Sequence, residues 1–388
     1  MIRLALKPGR EGSVLRRHPW VFSGAIASAK GDGSDGRAEV VDAAGRPIAL
    51  GAYSPQSQIV ARLWSFDGRS PDLHLFRERF EAAGRLRKDV LSAETTGFRA
   101  VNSEGDLCPG VLVDVFGEVV VMELLTEGTE SWREDLEVAT REIFSPQKLV
   151  VRESGVERDR GSRVSAKSAG FEPVPFFENG LRFFADVSSG QKTGFYLDQR
   201  ENRSRLRSLA RGKMVLDLFS YSGAFSVAAL AGGARRAVDV DSSESALALS
   251  REHRRANGFP VDDTDFVRAD VFEDLRRRAA AHESWDVVVC DPPAFAKKRG
   301  DLRRAARGYQ DVNRIAMSLV RPGGWLLTCS CSGLLPANLF QKIVFSAGIE
   351  AGAAFTIVAR QGAGADHPVS IDCPEGEYLK GLWLRRAG

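Results

Sequence analysis

The chain has 388 residues, 43% of them hydrophobic and 27% charged, and a net charge of +3. That length exceeds one typical domain and that balance is ordinary for a globular protein, so two or three domains are expected. No run approaches the roughly 18 uninterrupted apolar residues of a membrane helix, no signal-peptide core opens the chain, and near-neutral charge confines any nucleic-acid surface to a local patch.

A cytoplasmic protein with no membrane contact is therefore expected. The five cysteines, Cys108, Cys290, Cys329, Cys331 and Cys373, include no CxxC pair. Neither a metal site nor a disulfide framework is suggested.

Residues 1–70 mix short β-like runs (38–42, 48–53, 59–64) with glycine-rich turns, as a small β module does. Within it Arg16, Arg17 and His18-Pro19-Trp20 set two cations beside an aromatic. Such a patch can contact phosphates and stack on a base, or it is a solvated turn with Trp20 anchoring the core. Residues 71–185 read as a middle α+β domain. It holds an amphipathic helix over 72–92, with Leu73, Phe76, Phe80, Leu86 and Val90 at helical spacing. A hairpin turning at Gly117-Glu118, a helix over 132–144 and a strand over 149–152 follow. Cys108 falls in a polar loop and is expected to be structural. Residues 158–170, rich in Arg, Ser and Gly, read as an exposed loop, and 176–187 as a hairpin turning at Asn179-Gly180.

From 186 to 388 the pattern becomes α/β. Two glycine turns lead into Tyr196-Leu-Asp-Gln-Arg200, an unusual way to begin a helix unless the turn holds something. The apolar run 215–219 is a strand buried on both faces; a turn with Ser220, Ser222 and Gly223 leads from it into a helix. One glycine in that turn, where a dinucleotide fingerprint has three, disfavours a nicotinamide dehydrogenase. The turn leaves room for a nucleoside-type ligand, with Asp217 placed to hold a cation such as the amino group of S-adenosylmethionine.

The next strand, 236–240, ends at Asp241, about 20 residues past the turn, where a carboxylate reaches a ribose diol. A third strand, 265–268, leads to Asp270, which can accept from an adenine amine. Strand 286–290 runs into Asp291-Pro-Pro-Ala-Phe295, whose prolines stiffen the exit. Lys297, Lys298 and Arg299, followed by Arg303, Arg304 and Arg307, form the densest cation cluster, suited to phosphates or to a solvated helix start. Strand 325–330 delivers Cys331. Strands at 355–360 and 381–385 complete seven, the last pair antiparallel.

These residues together resemble the class I S-adenosylmethionine-dependent methyltransferases, a Rossmann-like fold. More narrowly, the chain is similar to bacterial 23S ribosomal RNA large-subunit methyltransferases that carry an amino-terminal PUA domain and methylate cytosine at carbon 5. The matching motifs are Gly190-Gln-Lys-Thr-Gly-Phe-Tyr-Leu-Asp-Gln-Arg-Glu-Asn202, Asp217-Leu-Phe-Ser-Tyr-Ser-Gly223, Asp241-Ser-Ser, Asp291-Pro-Pro-Ala-Phe295, Ser330-Cys-Ser332, Asp366-His-Pro and Tyr378-Leu-Lys-Gly381. The resemblance spans nearly the whole chain and implies S-adenosylmethionine as cofactor and 23S ribosomal RNA as partner; self-pairing is left open.

By the same resemblance, Asp217 and the backbone through Phe219, Ser220, Tyr221 and Gly223 would hold the methionine part of the cofactor. Asp241 with Ser242 would take the ribose, and Asp270 with Val271 the adenine. Tyr196, Asp198 and Gln199 would close over the cofactor beside Asp291 and Pro292. Cys331 would be the nucleophile.

Carbon 5 of cytosine is a poor nucleophile until a thiolate adds at carbon 6 and makes an enamine. The thiolate calls for neighbouring positive charge or backbone donors. Asp291, protonated or hydrogen-bonded at the pyrimidine, would stabilise charge developing there. Many RNA cytosine-5 methyltransferases have a second cysteine directly after the Pro-Pro pair; here that position is Ala294. Cys290 is expected to face elsewhere by strand alternation, and Cys329 to be structural. Two alternatives stay open: methylation of a guanine or adenine nitrogen, with Asp291 and Phe295 holding the base, and a non-catalytic RNA-binding assembly factor.

Overall fold

Alternation builds the first sheet: Ile2, Leu4 and Leu6 are buried on one side of strand β1 (Ile2–Leu6) while Arg3 and Ala5 face the other way. After the single turn α1 (Gly12–Leu15) come β2 (Trp20–Phe22), β3 (Ile26–Lys30), β4 (Arg37–Val41), β5 (Pro47–Tyr53) and β6 (Ile59–Ser65). They form a six-stranded sheet in the order β2-β6-β5-β4-β1-β3, antiparallel except for β1 beside β4. Its core is small and aliphatic, with Leu4, Val21, Val40 and Leu63 among its members. The strands β1 to β3 carry no strong sequence signal, because they are short and mostly exposed on one face.

Helix α2 (Leu73–Val90) starts where the Asp72 carboxylate accepts from the Leu75 N–H at 3.1 Å. Its apolar stripe, with that of α4 (Arg133–Phe144), covers a second sheet made of β7 (Gly97–Asn102), β8 (Val111–Phe116), β9 (Val119–Leu124), β10 (Lys148–Glu153) and β11 (Arg163–Val164). The short α3 (Glu127–Glu130) precedes α4. Strand β11 stands within the stretch expected as a loop. Trp64, Phe76 and Trp132 meet edge-on or stacked at 5.1–5.7 Å and centre this core. Cys108 is fully buried, as a structural cysteine should be. Beyond β12 (Val174–Glu178), Asn179 and Gly180 both have positive φ, the type I′ turn their sequence calls for, and β13 (Leu181–Ala185) follows.

The structure is a computed structural model and describes residues 1–153, 163–164, 173–188, 192–296 and 298–388. The chain divides into two units that do not follow its order. The first comprises Met1–Gly180, Ala185–Leu197 and Ala365–Gly376, and the second Leu181–Phe184, Asp198–Gly364 and Glu377–Gly388.

Within the first unit, residues 365–376 are fastened by polar contacts. Arg87 is paired with Asp106 at 2.5 Å and also donates to the Asp366 carbonyl at 2.7 Å. The Arg99 N–H donates to the Asp366 carboxylate at 2.9 Å. At Gly105 an added Cβ would stand 1.9 Å from the Pro368 carbonyl, so only glycine fits there. The Asp366-His-Pro motif is thus a structural clip. A second clip joins His18, Cys373 and Glu375. The Trp20 N–H donates to His18 Nδ1, so neutral His18 carries its proton on Nε2, which points at Glu375 at 3.3 Å.

The second unit holds the seven-stranded sheet. Its strands are β14 (Met214–Leu218), β15 (Arg236–Asp241), β16 (Phe266–Arg268), β17 (Trp285–Cys290), β18 (Val320–Ser330), β19 (Phe355–Gln361) and β20 (Lys380–Arg386). The order is β16-β15-β14-β17-β18-β20-β19; the first five are parallel, and β20 runs antiparallel between β18 and β19. Helices α5 (Arg200–Leu209), α6 (Ala224–Ala231), α7 (Glu244–Ala256), α8 (Val271–Ala280), α9 (Leu302–Leu319) and α10 (Ala337–Glu350) accompany it.

Alternation along buried strands sorts two cores. Leu216, Val240, Val288, Cys290 and Leu326 join residues of α8, α9 and α10. Val215, Ala237, Val289, Leu327 and Cys329 join Leu206 of α5 and Phe225 of α6. Helix α9 begins inside the cation cluster, which fits the helix start the sequence allows there, while α8 has no counterpart in the sequence reading. Chain order reverses between β14 and β17. That switch point is where an open α/β sheet binds its ligand.

Candidate active site

Asp217 is the one polar side chain in β14, and it lies beside the switch point, in register with Asp239 on β15 and Val289 on β17. It is 1% exposed, and neither carboxylate oxygen has a hydrogen-bond partner. Burial, and then the charges of Asp239, Asp291 and Asp241, push its pKa well above the usual carboxylate value. Asp239, a buried acid the sequence reading passed over, is treated differently. It accepts from Ser226, from Ser250 at 2.7 Å and from Arg254 at 2.9 Å. Asp217 is the member of the pair left to meet a cation.

The turn after β14 is held in an unusual backbone path. Phe219, Tyr221 and Gly223 all have positive φ, and a Cβ on Gly223 would fall 1.9 Å from Ser250 Oγ. Such a path persists only where its surroundings enforce it. Ser220 donates its N–H to the Val240 carbonyl at 3.1 Å, Gly223 donates to Ser220 at 2.8 Å, and Tyr221 donates to Asp241 Oδ2 at 2.8 Å. The Ser222 carbonyl accepts from His253 Nδ1 at 2.8 Å, while His253 Nε2 accepts from the Phe184 N–H at 2.9 Å. Full burial lowers the His253 pKa to about 4, so the imidazole stays neutral and the turn stays latched.

At the other strand ends, Asp241 also accepts from the Ser243 N–H at 2.9 Å, which fixes its carboxylate, and Ser242 beside it is exposed. Asp270 is exposed and caps α8, one oxygen taking the Phe272 and Glu273 N–H groups at 2.9 and 3.1 Å. The Val271 side chain is buried in the core.

Beyond β17, Asp291 Oδ2 accepts from Gln199 Nε2 at 2.7 Å, and Pro292 is buried. Asp198 accepts from the Tyr378 hydroxyl at 2.6 Å. Phe295 packs on Tyr309 with ring centres 4.6 Å apart. Asp198, Gln199, Asp217, Asp241 and Asp291 thus all belong to the second unit. Tyr196 belongs to the first, with the Lys192 ammonium 4.3 Å from its ring centre.

Among the cysteines of this sheet, Cys290 and Cys329 are fully buried and burial raises both thiol pKa values, whereas Cys331 is half-buried. Cys331 follows the end of β18, where Ser330 is in register with Lys380 of β20. Lys380 donates its ammonium to the Ser332 carbonyl at 2.6 Å, and its charge and that of Cys331 act on one another. Tyr309 accepts from Ser330 Oγ at 3.0 Å and feels the Cys331 charge too.

Of the cation patches, Arg16 and Arg17 are exposed, with Arg17 5.6 Å above the Phe66 ring. Of the two readings open for Trp20, a stacking platform or an anchor, its contacts favour the anchor. It is half-buried and its indole N–H donates to Glu104 at 2.8 Å. It still lines a cavity of about 380 Å³ together with Arg10, Ser13 and Phe22. Lys298, Arg303, Arg304 and Arg307 are exposed around the start of α9. Lys297, Gly190, Gln191, most of 158–170 and the Arg299 side chain lie outside the described residues.

Residues 143–360 match the sequence profile of the S-adenosylmethionine-dependent methyltransferases, and residues 4–66 that of a PUA-like domain. The chain belongs to the S-adenosylmethionine-dependent methyltransferases. It is 40% identical over 392 residues to the ribosomal RNA large subunit methyltransferase I of Yersinia pseudotuberculosis serotype O:1b (strain IP 31758), covering 99% of both chains. The same-named protein of Yersinia pestis matches equally. Among solved structures, SMU.776 complexed with SAH is similar at a TM-score of 0.86 and 25% identity, over 99% of this chain and 100% of that one.

The methyltransferase depends on a cofactor bearing an ammonium, a ribose diol and an adenine amine. Its residues fit that group: the unpartnered, buried Asp217 carboxylate suits an ammonium, and further acids line the strand ends beside it. Lys380, His253, Asn202 and Asp239 of the methyltransferase were not assigned functional roles from sequence. In the Tyr378-Leu-Lys-Gly381 motif the lysine is the sequence signal for a cation beside Cys331.

Proposed function

We propose that the protein methylates carbon 5 of a cytosine in 23S ribosomal RNA, with Cys331 as the covalent nucleophile. The support is the full-length similarity to ribosomal RNA large subunit methyltransferases together with the PUA-like domain. The observation that carries it is the contrast among neighbouring thiols. Cys331 alone of the three in this sheet is half-buried, at the tip of β18 beside the Lys380 cation, while Cys290 and Cys329 are sealed in the cores.

In this reading Asp217 and the turn from Phe219 to Gly223 hold the methionine part of S-adenosylmethionine, Asp241 and Ser242 the ribose, and Asp270 and Val271 the adenine. The bound cofactor supplies an electrophilic methyl group. Lys380 stabilises the Cys331 thiolate. The thiolate forms a bond to carbon 6 and sends the ring's electron pair toward carbon 5, which becomes nucleophilic. Asp291 holds the polar edge of the base. Carbon 5 takes the methyl group as the methyl's bond to the cofactor sulfur breaks and leaves a neutral thioether; a base then accepts the carbon-5 proton, its electron pair re-forms the ring double bond, and the carbon–sulfur bond to Cys331 breaks to release the thiolate. Position 294 is alanine, so no second thiol after the Pro-Pro pair assists release. Arg16, Arg17 and Trp20, with Lys297, Lys298 and Arg299, supply phosphate and base contacts.

The test is Cys331→Ala, assayed with labelled S-adenosylmethionine on unmodified 23S ribosomal RNA, with the product base mapped. Activity should fall at least about a thousandfold while cofactor binding persists. A Cys331→Ala enzyme that keeps most of its activity would instead mark a nitrogen methyltransferase. No label transfer by the unaltered protein would mark a binder.

A further inference from the structure

Behind Asp291 runs a buried chain of hydrogen bonds with a fixed direction. Trp383 Nε1 donates to Asn202 Oδ1 at 2.9 Å, Asn202 Nδ2 donates to Gln199 Oε1 at 2.6 Å, and Gln199 Nε2 donates to Asp291 Oδ2 at 2.7 Å. An indole N–H can only donate. It therefore fixes which end of the Asn202 amide faces it, and Asn202 in turn fixes Gln199. What reaches Asp291 is necessarily a donor. Trp383 and Asn202 are fully buried and Gln199 nearly so.

We propose that Trp383, Asn202 and Gln199 are positioning residues that keep Asp291 an ionised acceptor, so that the site selects a base presenting an amino N–H there, cytosine, over one presenting a carbonyl, uracil. The inference rests on the reading above, in which Asp291 meets the base. A hydrogen bond donated to the charged form favours that form and bars a proton from Oδ2.

The neighbouring acids sharpen the division. Asp217, Cys290, Cys329 and Tyr309 all feel the Asp291 charge, and Asp217 has no donor of its own. When two acids repel, the one without a donor takes the proton. Charge is thereby kept on Asp291 while Asp217 waits for its cation. A carbonyl oxygen facing an ionised carboxylate is repelled, and an amino group is bound. Such a polar match is worth about tenfold or more in discrimination.

The experiment compares kcat/KM on 23S RNA carrying the mapped target cytidine with the same RNA carrying uridine there. Trp383→Phe and Asn202→Leu release the direction of the Gln199 amide. Each should lower the cytidine-to-uridine ratio about tenfold or more, with the KM for S-adenosylmethionine unchanged and folding checked by thermal melt. Gln199→Glu keeps the Asn202 contact and sets two carboxylates against one another. It should move the acid limb of the pH–rate profile upward, with cytidine activity recovering in alkali.

Folded Trp383→Phe and Gln199→Glu enzymes with unaltered ratio and unaltered acid limb would overturn the relay. If Gln199→Glu raises activity at neutral pH, Asp291 works as a protonated donor and the proposal is also wrong. Carbon-13 titration of the aspartate carboxyls in the ligand-free protein checks the Asp291 charge without turnover. A protein that shows the ionised carboxyl but never methylates cytosine would defeat the carbon-5 reading and leave the relay's effect on Asp291 standing.

Discussion

Replacing Asp217 by Asn should make the ligand-free protein more stable and bind its cofactor less well. The carboxylate is 1% exposed with no partner for either oxygen, and Asp239, Asp241 and Asp291 all repel it. An amide of the same shape removes the charge and leaves the packing. The gain is about 1–2 kcal/mol, because a buried ionisable group left unsatisfied costs more than the neutral amide in its place, and about 2–8 °C in melting temperature. A charge-assisted hydrogen bond to the ammonium is worth about 1.5–3 kcal/mol, so the Kd for S-adenosylhomocysteine should rise about ten- to a hundredfold. The pH dependence has a definite sign. The folded pKa lies above the unfolded one, so Asp217 resists ionisation in the fold and costs stability increasingly as pH rises past the unfolded value. The advantage of Asp217→Asn should vanish at low pH, where both states are protonated, and be largest at neutral pH. Calorimetric melts across pH, with titration of S-adenosylhomocysteine, supply both numbers. A lower ligand-free melting temperature at neutral pH, or an unchanged Kd, would refute the assignment of Asp217 as the acid that meets the cofactor's ammonium.

His253 should give the ligand-free protein an acid-sensitive turn. Its folded pKa of about 4 against 6.5 means stability is full above the unfolded value and falls by about 3 kcal/mol as pH drops from 6.5 through 4, a loss that His253→Gln should flatten in acid melts. Gly223→Ala should cost several-fold in cofactor affinity at least, because its φ of +68° is unfavourable to alanine and its Cβ would meet Ser250 at 1.9 Å; unchanged binding would show that the turn is more pliable than its contacts indicate. Arg254→Met leaves Asp239 buried without its cation and should destabilise by about 3–5 kcal/mol in denaturant melts.

The parallel strands of the second unit were legible because strands buried on both faces read as unbroken apolar runs, and their ends were legible because acids interrupt those runs. Asp217, Asp241 and Asp291 followed from that contrast. Asp239 did not, since an acid inside a strand carries no mark of the arginine that neutralises it from α7. Helix α8 was hidden by its three arginines, which the ion pairs to Asp311, Asp274 and Glu283 accommodate. Lys380 and Trp383 were readable as residues but not as partners. Register across an antiparallel pair and a hydrogen bond spanning 181 positions are set by tertiary packing, which local pattern does not encode. Trp20 looked exposed for the same reason: Glu104 takes its N–H from 84 residues away.

The acids of this sheet are not equivalent, and their differences form one arrangement. Strands ending together bring like charges together, which a folded chain tolerates only if each is answered. Asp239 is answered by Arg254, Asp241 by two backbone N–H groups, Asp270 by the start of α8, and Asp291 by the amide of Gln199. Asp217, with only the charge of Arg254 to offset its neighbours, has no hydrogen-bond partner among the described residues. Electrostatic demand is thereby concentrated at one buried point, where a ligand with an ammonium relieves it and a neutral nucleoside does not. Selectivity for an amino-acid-bearing nucleoside then follows from which carboxylate the fold leaves without a partner. It requires no contact that discriminates between adenine and other bases, and Asp270, exposed and already occupied with capping a helix, is accordingly the acid whose replacement should matter least to affinity.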